Sequence, residues 1–283
     1  MSRVQSTPPA RGLSVRRLRF APEKINRQYV RGLPVIAHWL TALSTTFPMG
    51  EQFFVHSVRQ VRDRITDPEL QAQISAFIGQ EAMHSEAHQR FNARWQQADY
   101  RLPVIEQWLR RGNRHARGLH PKVQLAITCA FEHFTALLGE YILRHPELVD
   151  HFEPEAAHLW LWHALEEAEH KSVAFDVYQQ LYGDDPLRRK LMRTCSLAFA
   201  YLSVQGTASL LWQDRHHALS HPLQVLNSLA QLARLWVTVL PEYLDYYRAD
   251  FHPAQRDRSA LLDHWRQKLA AQPDTYTVLR AAA

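Results

Sequence analysis

Two short runs carry the chemistry of this sequence. Glu81-Ala82-Met83-His84 and Glu167-Ala168-Glu169-His170 each set a carboxylate and an imidazole three residues apart. On an α-helix that spacing puts both side chains on one face, one turn apart. A lone acid precedes each pair in an apolar run: Glu51 before the first, Glu132 before the second. In chain order the pattern is Glu, Glu-x-x-His, Glu, Glu-x-x-His. Four helices that converge would place four carboxylates and two imidazoles around two divalent cations, with charges in balance. The ligand set is then Glu51, Glu81, His84, Glu132, Glu167 and His170. Imidazole and carboxylate together favour two divalent ions, with Fe first and Mn or Zn as alternatives. Burying four carboxylates without cations would cost many kcal/mol or force protonation.

One acid-x-x-His match is a weak signal. With 17 His and 28 acids, roughly two arise by chance. Glu155/His158 and Asp214/His217 repeat the spacing, but at a helix start and a helix end. The order along four long helices selects the other two pairs. Neighbouring groups are expected to play lesser parts. Glu86, Glu166 and Glu169 read as solvated charges. His88 and His163, one turn from proposed ligands, read as hydrogen-bond partners of the ligands rather than ligands. Thr135 follows Glu132 by one turn and is expected to bond its own backbone. His88, His163 and Thr135 are nevertheless the candidate catalytic residues. Asp176, Arg59 and Lys171 are candidates for ion pairs behind the site. Trp160 and Trp162 could line a cavity.

The elements that must position these residues are helices. Nine Gly in 283 residues disfavour a strand-and-turn architecture. Leu33 to about Thr46 is apolar at helical spacing, Phe47-Pro48 punctuates, and a second helix is expected over 49–65. Asp67 as cap and Pro68 at the first turn open a helix to about Gln97. Its inward stripe holds Leu70, Ile74, Phe77, Glu81, His84 and His88. An amphipathic helix follows over 103–118. Pro121 opens a helix to about His145, with Leu125, Thr128, Glu132, Thr135, Ala136 and Gly139 on one face. Another is expected from about Pro154 to Tyr182, ended by Gly183-Asp184-Asp185-Pro186. Two apolar helical runs follow, over 187–217 and 222–248. Cys195 to Trp212 holds no formal charge and approaches the length of a membrane span, although a buried helix is favoured. Residues 1–30 read as a flexible basic arm, 31–250 as a helical metal-binding domain with its bundle core over 49–182, and 251–283 as a polar tail.

Bulk properties exclude little but bound the rest. The chain is long enough for a large core. Its formal charge of +5 gives no argument for nucleic acid. No apolar leader follows the N-terminus, and Cys129 and Cys195 sit far apart in apolar runs as buried thiols, so a reducing cytoplasm is expected. No dinucleotide fingerprint and no Cys cluster for an iron–sulfur centre is present.

The ligand order resembles the ferritin-like di-iron carboxylate superfamily. Phe47-Pro-Met-Gly-Glu51-Gln-Phe-Phe, Phe77-Ile-Gly-Gln-Glu81-Ala-Met-His84, Phe131-Glu132-His-Phe-Thr135-Ala and the run Trp162 to Asp176 further resemble a bacterial family of predicted metal-dependent hydrolases, over about residues 30–250. The superfamily resemblance implies an all-α, ferritin-like four-helix bundle with a dimetal site, extended here by C-terminal helices, and the six ligands named above.

The leading expectation is a di-iron enzyme that uses O2, with an external reductant, to oxidise a small apolar substrate. A metal-dependent hydrolase acting through water on the metals is the alternative that the family resemblance implies. Metal storage, or a metal-free helical interaction protein, are the other readings. Peripheral membrane contact through 187–248 is left open, and the sequence does not give the oligomeric state.

Overall fold

The computed structural model describes residues 13–97, 100–101 and 103–279. It is an all-α bundle. In chain order the elements are strand β1 (Val15–Leu18) and helices α1 (Pro34–Arg59), α2 (Pro68–Gln97), α3 (Pro103–Arg117), α4 (Pro121–Arg144), α5 (Pro146–Val149) and α6 (Pro154–His170). They continue as α7 (Val173–Leu181), α8 (Asp185–Gln213), α9 (Arg215–Ser220), α10 (Pro222–Asp245), α11 (Ser259–Ala270) and strand β2 (Tyr276–Leu279). Proline opens α1, α2, α4, α6 and α10, where its missing N–H is no loss and its φ suits a first turn. Asp67 caps α2 by accepting the Glu69 N–H at 2.9 Å, as its sequence implies.

The bundle proper is α1 along α2 and α4 along α6, while α8 and α10 lie across α1 and α4. Gly139 sets the approach of α4 to α6: a Cβ there would stand 2.8 Å from the Ala164 carbonyl oxygen. The buried apolar residues form two clusters. One holds Leu43, Phe91, Leu138 and Leu165; the other holds Phe54, Phe77, Ala130 and Val173. On α1, α2 and α4 the proposed ligands fall between members of the two clusters, and on α6 they fall between Leu165 of the first cluster and Val173 of the second at the start of α7. The polar residues therefore sit at mid-bundle, sealed above and below by hydrocarbon.

Four expectations are corrected. First, α1 runs unbroken through Pro48. Proline removes the N–H that the Ser44 carbonyl would have accepted, and Asn92 Nδ2 donates to that carbonyl instead at 2.8 Å. Second, the expected helix from Pro154 to Tyr182 loses its regular bonds at Lys171 and Ser172, although both keep right-handed backbone angles, so α6 and α7 form one kinked rod. Third, the described part of the supposed arm is built into the fold. β1 pairs antiparallel with β2, Val15 opposite Leu279 and Leu18 opposite Tyr276, and Ile25, Tyr29 and Val30 are fully buried. Residues 1–12 of that arm lie outside the described residues. Fourth, the supposed polar tail buries Phe251, Trp265, Leu269 and Tyr276. The hydropathy and length of a membrane span also belong to α10, not α8.

Candidate metal centre

α1 contributes Glu51, α2 contributes Glu81 and His84, α4 contributes Glu132, and α6 contributes Glu167 and His170. All six are buried, and Glu81, His84 and His170 have no exposed surface. The ligand atoms fall into two overlapping groups, Glu51–Glu81–His84 and Glu81–Glu132–Glu167–His170, each with its members within 4.8 Å of one another. His170 Nε2 stands 3.1 Å from Glu81, 3.3 Å from Glu132 and 3.5 Å from Glu167. His84 Nδ1 stands 3.3 Å from Glu167 and 4.0 Å from Glu81.

Among the described residues, the atoms turned inward have no hydrogen-bond partners. Both oxygens of Glu51, Glu81 and Glu132, Glu167 Oε2, His84 Nδ1 and His170 Nε2 are all buried and unsatisfied. Such groups normally cost about 1–3 kcal/mol each, more when charged. Nine of them converging on one place fit a cation site by the chemistry of the donors.

The outward ring nitrogens are held. His84 Nε2–H donates to Glu166 Oε2 at 3.1 Å. Glu166 Oε1 accepts from the backbone N–H and guanidinium of Arg16, each at 3.1 Å. His170 Nδ1–H donates to Gln80 Oε1 at 3.0 Å, and Gln80 Nε2 donates to the Ser14 carbonyl and to Glu169. Glu169 also receives Arg16 and Arg266, the latter at 2.6 Å. Holding the outer nitrogen fixes ring orientation and aims the inner lone pair at the centre. Glu166 and Glu169 are thus buried, contrary to the expectation from sequence that they are solvated charges. Their side chains are 0% and 1% exposed and each is paired with Arg16. Glu86 is exposed as expected.

Electrostatics follow from burial. Desolvation, then the charge of Glu81, raises Glu132 to about 8. Desolvation likewise raises Glu51 strongly and Glu81, with neighbouring acids adding to both. Burial opposes charge on His84, but its hydrogen bond to Glu166 and the nearby carboxylates of Glu167 and Glu81 outweigh it and raise the ring to about 10. His170 is also raised against its own desolvation, by Glu167 and Glu132. Glu167 goes the other way: burial opposes its charge, but His170, His163 and His84 hold it well below the usual carboxylate range. Burial drives His88 well below the imidazole range and lowers His163 to about 4.

The remaining candidates are placed as follows. His163 Nε2 meets Glu167 Oε1 at 3.1 Å, and His163 Nδ1 meets His88 Nε2 at 2.7 Å. Thr135 donates to the Glu132 carbonyl, as expected of a helical Thr. Thr135, His163 and Trp160 line an otherwise largely apolar cavity of about 110 Å³ between α1, α4, α6 and α10. Its walls include Leu40, Leu43, Phe47, Leu138 and Ile142. Trp162 instead packs edge-on against His84. Asp176 pairs with His252 and Lys171 with Glu140, while Arg59 is exposed. Glu155 accepts from the Ala21 N–H and Asp214 from Gln28, so neither discarded pair joins the centre. Cys129 and Cys195 are buried free thiols.

Sequence reasoning missed Arg16, Gln80 and Ser44, which hold the histidines. Gln80 precedes a ligand and carries a weak local signal; Arg16 and Ser44 carry none. Among known protein families, the model described as "Predicted metal-dependent hydrolase" matches residues 14–257. No curated protein and no solved structure matches the chain.

Proposed function

The chain belongs to the family of predicted metal-dependent hydrolases, and we propose that it holds two divalent metals and hydrolyses a small, largely apolar substrate. One observation carries this reading: the six carboxylates and imidazoles picked by spacing present buried, unpartnered donor atoms to one point. Glu51, Glu81 and His84 would hold one ion; Glu132, Glu167 and His170 the other, with Glu81 shared. Divalent metals there supply an electrophile for a carbonyl or phosphoryl oxygen and a means of making water nucleophilic at neutral pH. The chain supplies the rest. The apolar cavity takes the hydrocarbon part of the substrate and excludes bulk water. Thr135 and His163 are the polar groups where its lining meets the carboxylate cluster. The family match favours this hydrolytic reading over the oxidative one expected from ligand order.

A second reading keeps the metals, with Fe favoured, and makes the reaction an O2-dependent oxidation with an external reductant. It is supported by the carboxylate-rich donor set on four helices, and by a cavity whose walls are mainly hydrocarbon. The exposed apolar faces of α8 and α10, beside the cavity residues Gln231 and Arg234, support peripheral membrane contact through 187–248.

The deciding experiment loads the full chain with Fe, Mn or Zn and measures turnover of chromogenic acyl esters and phosphoesters under nitrogen. About two metals per chain, with hydrolysis that needs no O2 and is lost in Glu81→Ala, is the expected result. Product that forms only with O2 and a reductant would move the oxidative reading ahead. A folded chain that binds no metal overturns both.

A further inference from the structure

We propose that His163 is a third imidazole ligand of the metal centre, binding through Nε2; this rests on the reading of the centre just given. The argument is the direction of a buried hydrogen-bond chain. Asn92 Nδ2 donates to the Ser44 carbonyl at 2.8 Å, the carbonyl that Pro48 leaves free. That fixes the amide, so Asn92 Oδ1 is an acceptor and takes the Ser44 hydroxyl proton at 2.7 Å. With its only proton spent, Ser44 Oγ accepts from His88 Nδ1–H at 2.8 Å. Buried and uncharged, His88 then has a bare Nε2, which accepts from His163 Nδ1–H at 2.7 Å. Each step follows from the donor and acceptor inventory of the side chain concerned.

His163 Nε2 is the end of this chain, and it faces a carboxylate acceptor. Glu167 Oε1 lies 3.1 Å away, and ligand atoms of Glu51, His88 and His163 lie within 4.8 Å of one another. Two lone pairs cannot face each other at that distance without a proton or a metal ion between them. A divalent ion held among the four acids would take that place, with His163 Nε2 as one of its ligands. The geometry suits this. The His84 and His163 rings stack 4.3 Å apart and 14° from parallel. His84 Nδ1 and His163 Nε2 both converge on Glu167 Oε1, at 3.3 and 3.1 Å. His84, His163 and Glu167 form a third group of ligand atoms within 4.8 Å.

The centre is therefore asymmetric. The side holding His84 gains a second nitrogen, and the side holding His170 keeps one. Nitrogen-rich ligation shifts preference from Mn toward Zn or Fe. It also reverses the expectation that His163 only supports other ligands.

The test is a count of metal-bound nitrogens, independent of turnover. Full-length chain labelled with ¹⁵N-histidine and loaded with ¹¹³Cd is examined for cadmium–nitrogen couplings. The expected result is coupling at His84 Nδ1, His170 Nε2 and His163 Nε2, the last lost in His163→Gln. That variant should also bind Co²⁺ at one of its two positions at least tenfold more weakly. Coupling at His84 and His170 only overturns the assignment and leaves the metal centre standing. Cadmium that does not bind overturns the centre itself. If His163→Gln does not fold, the coupling pattern of the unsubstituted chain still decides, because Nδ1 and Nε2 resonate separately.

Discussion

Several buried acids and imidazoles of the cluster bind protons more tightly in the folded chain than in the unfolded one, and this makes its stability run against the usual direction with pH. Glu132, raised to about 8, and Glu51 and Glu81, also raised, keep protons in the folded chain that the unfolded chain releases near 4.5. His84, raised to about 10, and His170 keep protons that the unfolded chain releases near 6.5. Raised groups stabilise fully below their unfolded values, and that contribution is lost as pH climbs to the folded value. Glu167, His88 and His163 are lowered and act oppositely, but only below about 6.5. Between about pH 6.5 and 8 the centre's shifted groups thus act in one direction. The metal-free chain is expected to lose about 1.4 kcal/mol per pH unit for each proton released. Thermal melts in a chelator should show a falling Tm across that window, and added Zn²⁺ should flatten or reverse the slope because cations displace the protons. A metal-free Tm that climbs from 6.5 to 8 would mean the acids do not share one dry site. That Glu51, Glu81, His84, Glu132, Glu167 and His170 meet at one place was legible because helical spacing is a local property of the chain. The roles of Glu166 and Glu169 were not, because an acid in a helix looks solvated until its partner, here Arg16 some 150 residues away, is in place.

At the scale of elements, one strand supports both histidines of the Glu-x-x-His pairs. β1 carries Arg16, which pairs with Glu166 and thereby His84; the adjoining Ser14 carbonyl holds Gln80 and thereby His170. β1 is itself held by β2 at the far end of the chain. Arg16→Met would leave Glu166 buried without its counter-charge, a loss of roughly 3–5 kcal/mol. The expected outcome is a Tm lower by several degrees and zinc affinity reduced about 10–100-fold, in the range typical when support behind a ligand is removed. Arg16→Lys should recover part of both, since it keeps charge but not the two-pronged contact with Glu169. Unchanged zinc affinity in Arg16→Met, read by competition with a chelating dye, would show that β1 is only structural. The helices themselves were largely legible from apolar period and from proline at first turns. Pro48 was misread as a boundary because its cost depends on what satisfies the Ser44 carbonyl, and Asn92 does so from another helix. The kink after His170 carries no proline or glycine to announce it.

At the scale of the whole molecule, the misreadings of arm and tail share one cause: short segments with polar sequence fold only against each other and the bundle. Periodicity cannot see Val15 opposite Leu279, or Trp265 donating to the Leu143 carbonyl. What remains outside the fold is the outer surface of α8 and α10. These helices touch each other through Phe199 against Trp236 and Ser196 bonded to Tyr243. Their outward residues include Leu197 (74% exposed), Val204 and Trp212 on α8, and Leu223 (79% exposed), Leu226 and Val237 on α10. Exposed apolar side chains grouped on two neighbouring helices suit a surface that meets something apolar. Exposed Lys190, Arg193 and Arg234 lie on the same two helices. Arg234 also lines the cavity that runs toward the centre. Apolar side chains with cations around them suit a bilayer carrying anionic lipid, and an apolar substrate could pass from it directly into the cavity. The full chain is therefore expected to co-sediment with vesicles containing anionic lipid and to do so less as salt rises. Leu226→Asp and Val237→Asp, at exposed positions where folding is untouched, should each weaken vesicle binding roughly tenfold, about 1.4 kcal/mol. If the face instead seats a second copy of the chain, vesicles will not bind, and sedimentation will show a dimer that the same substitutions dissolve.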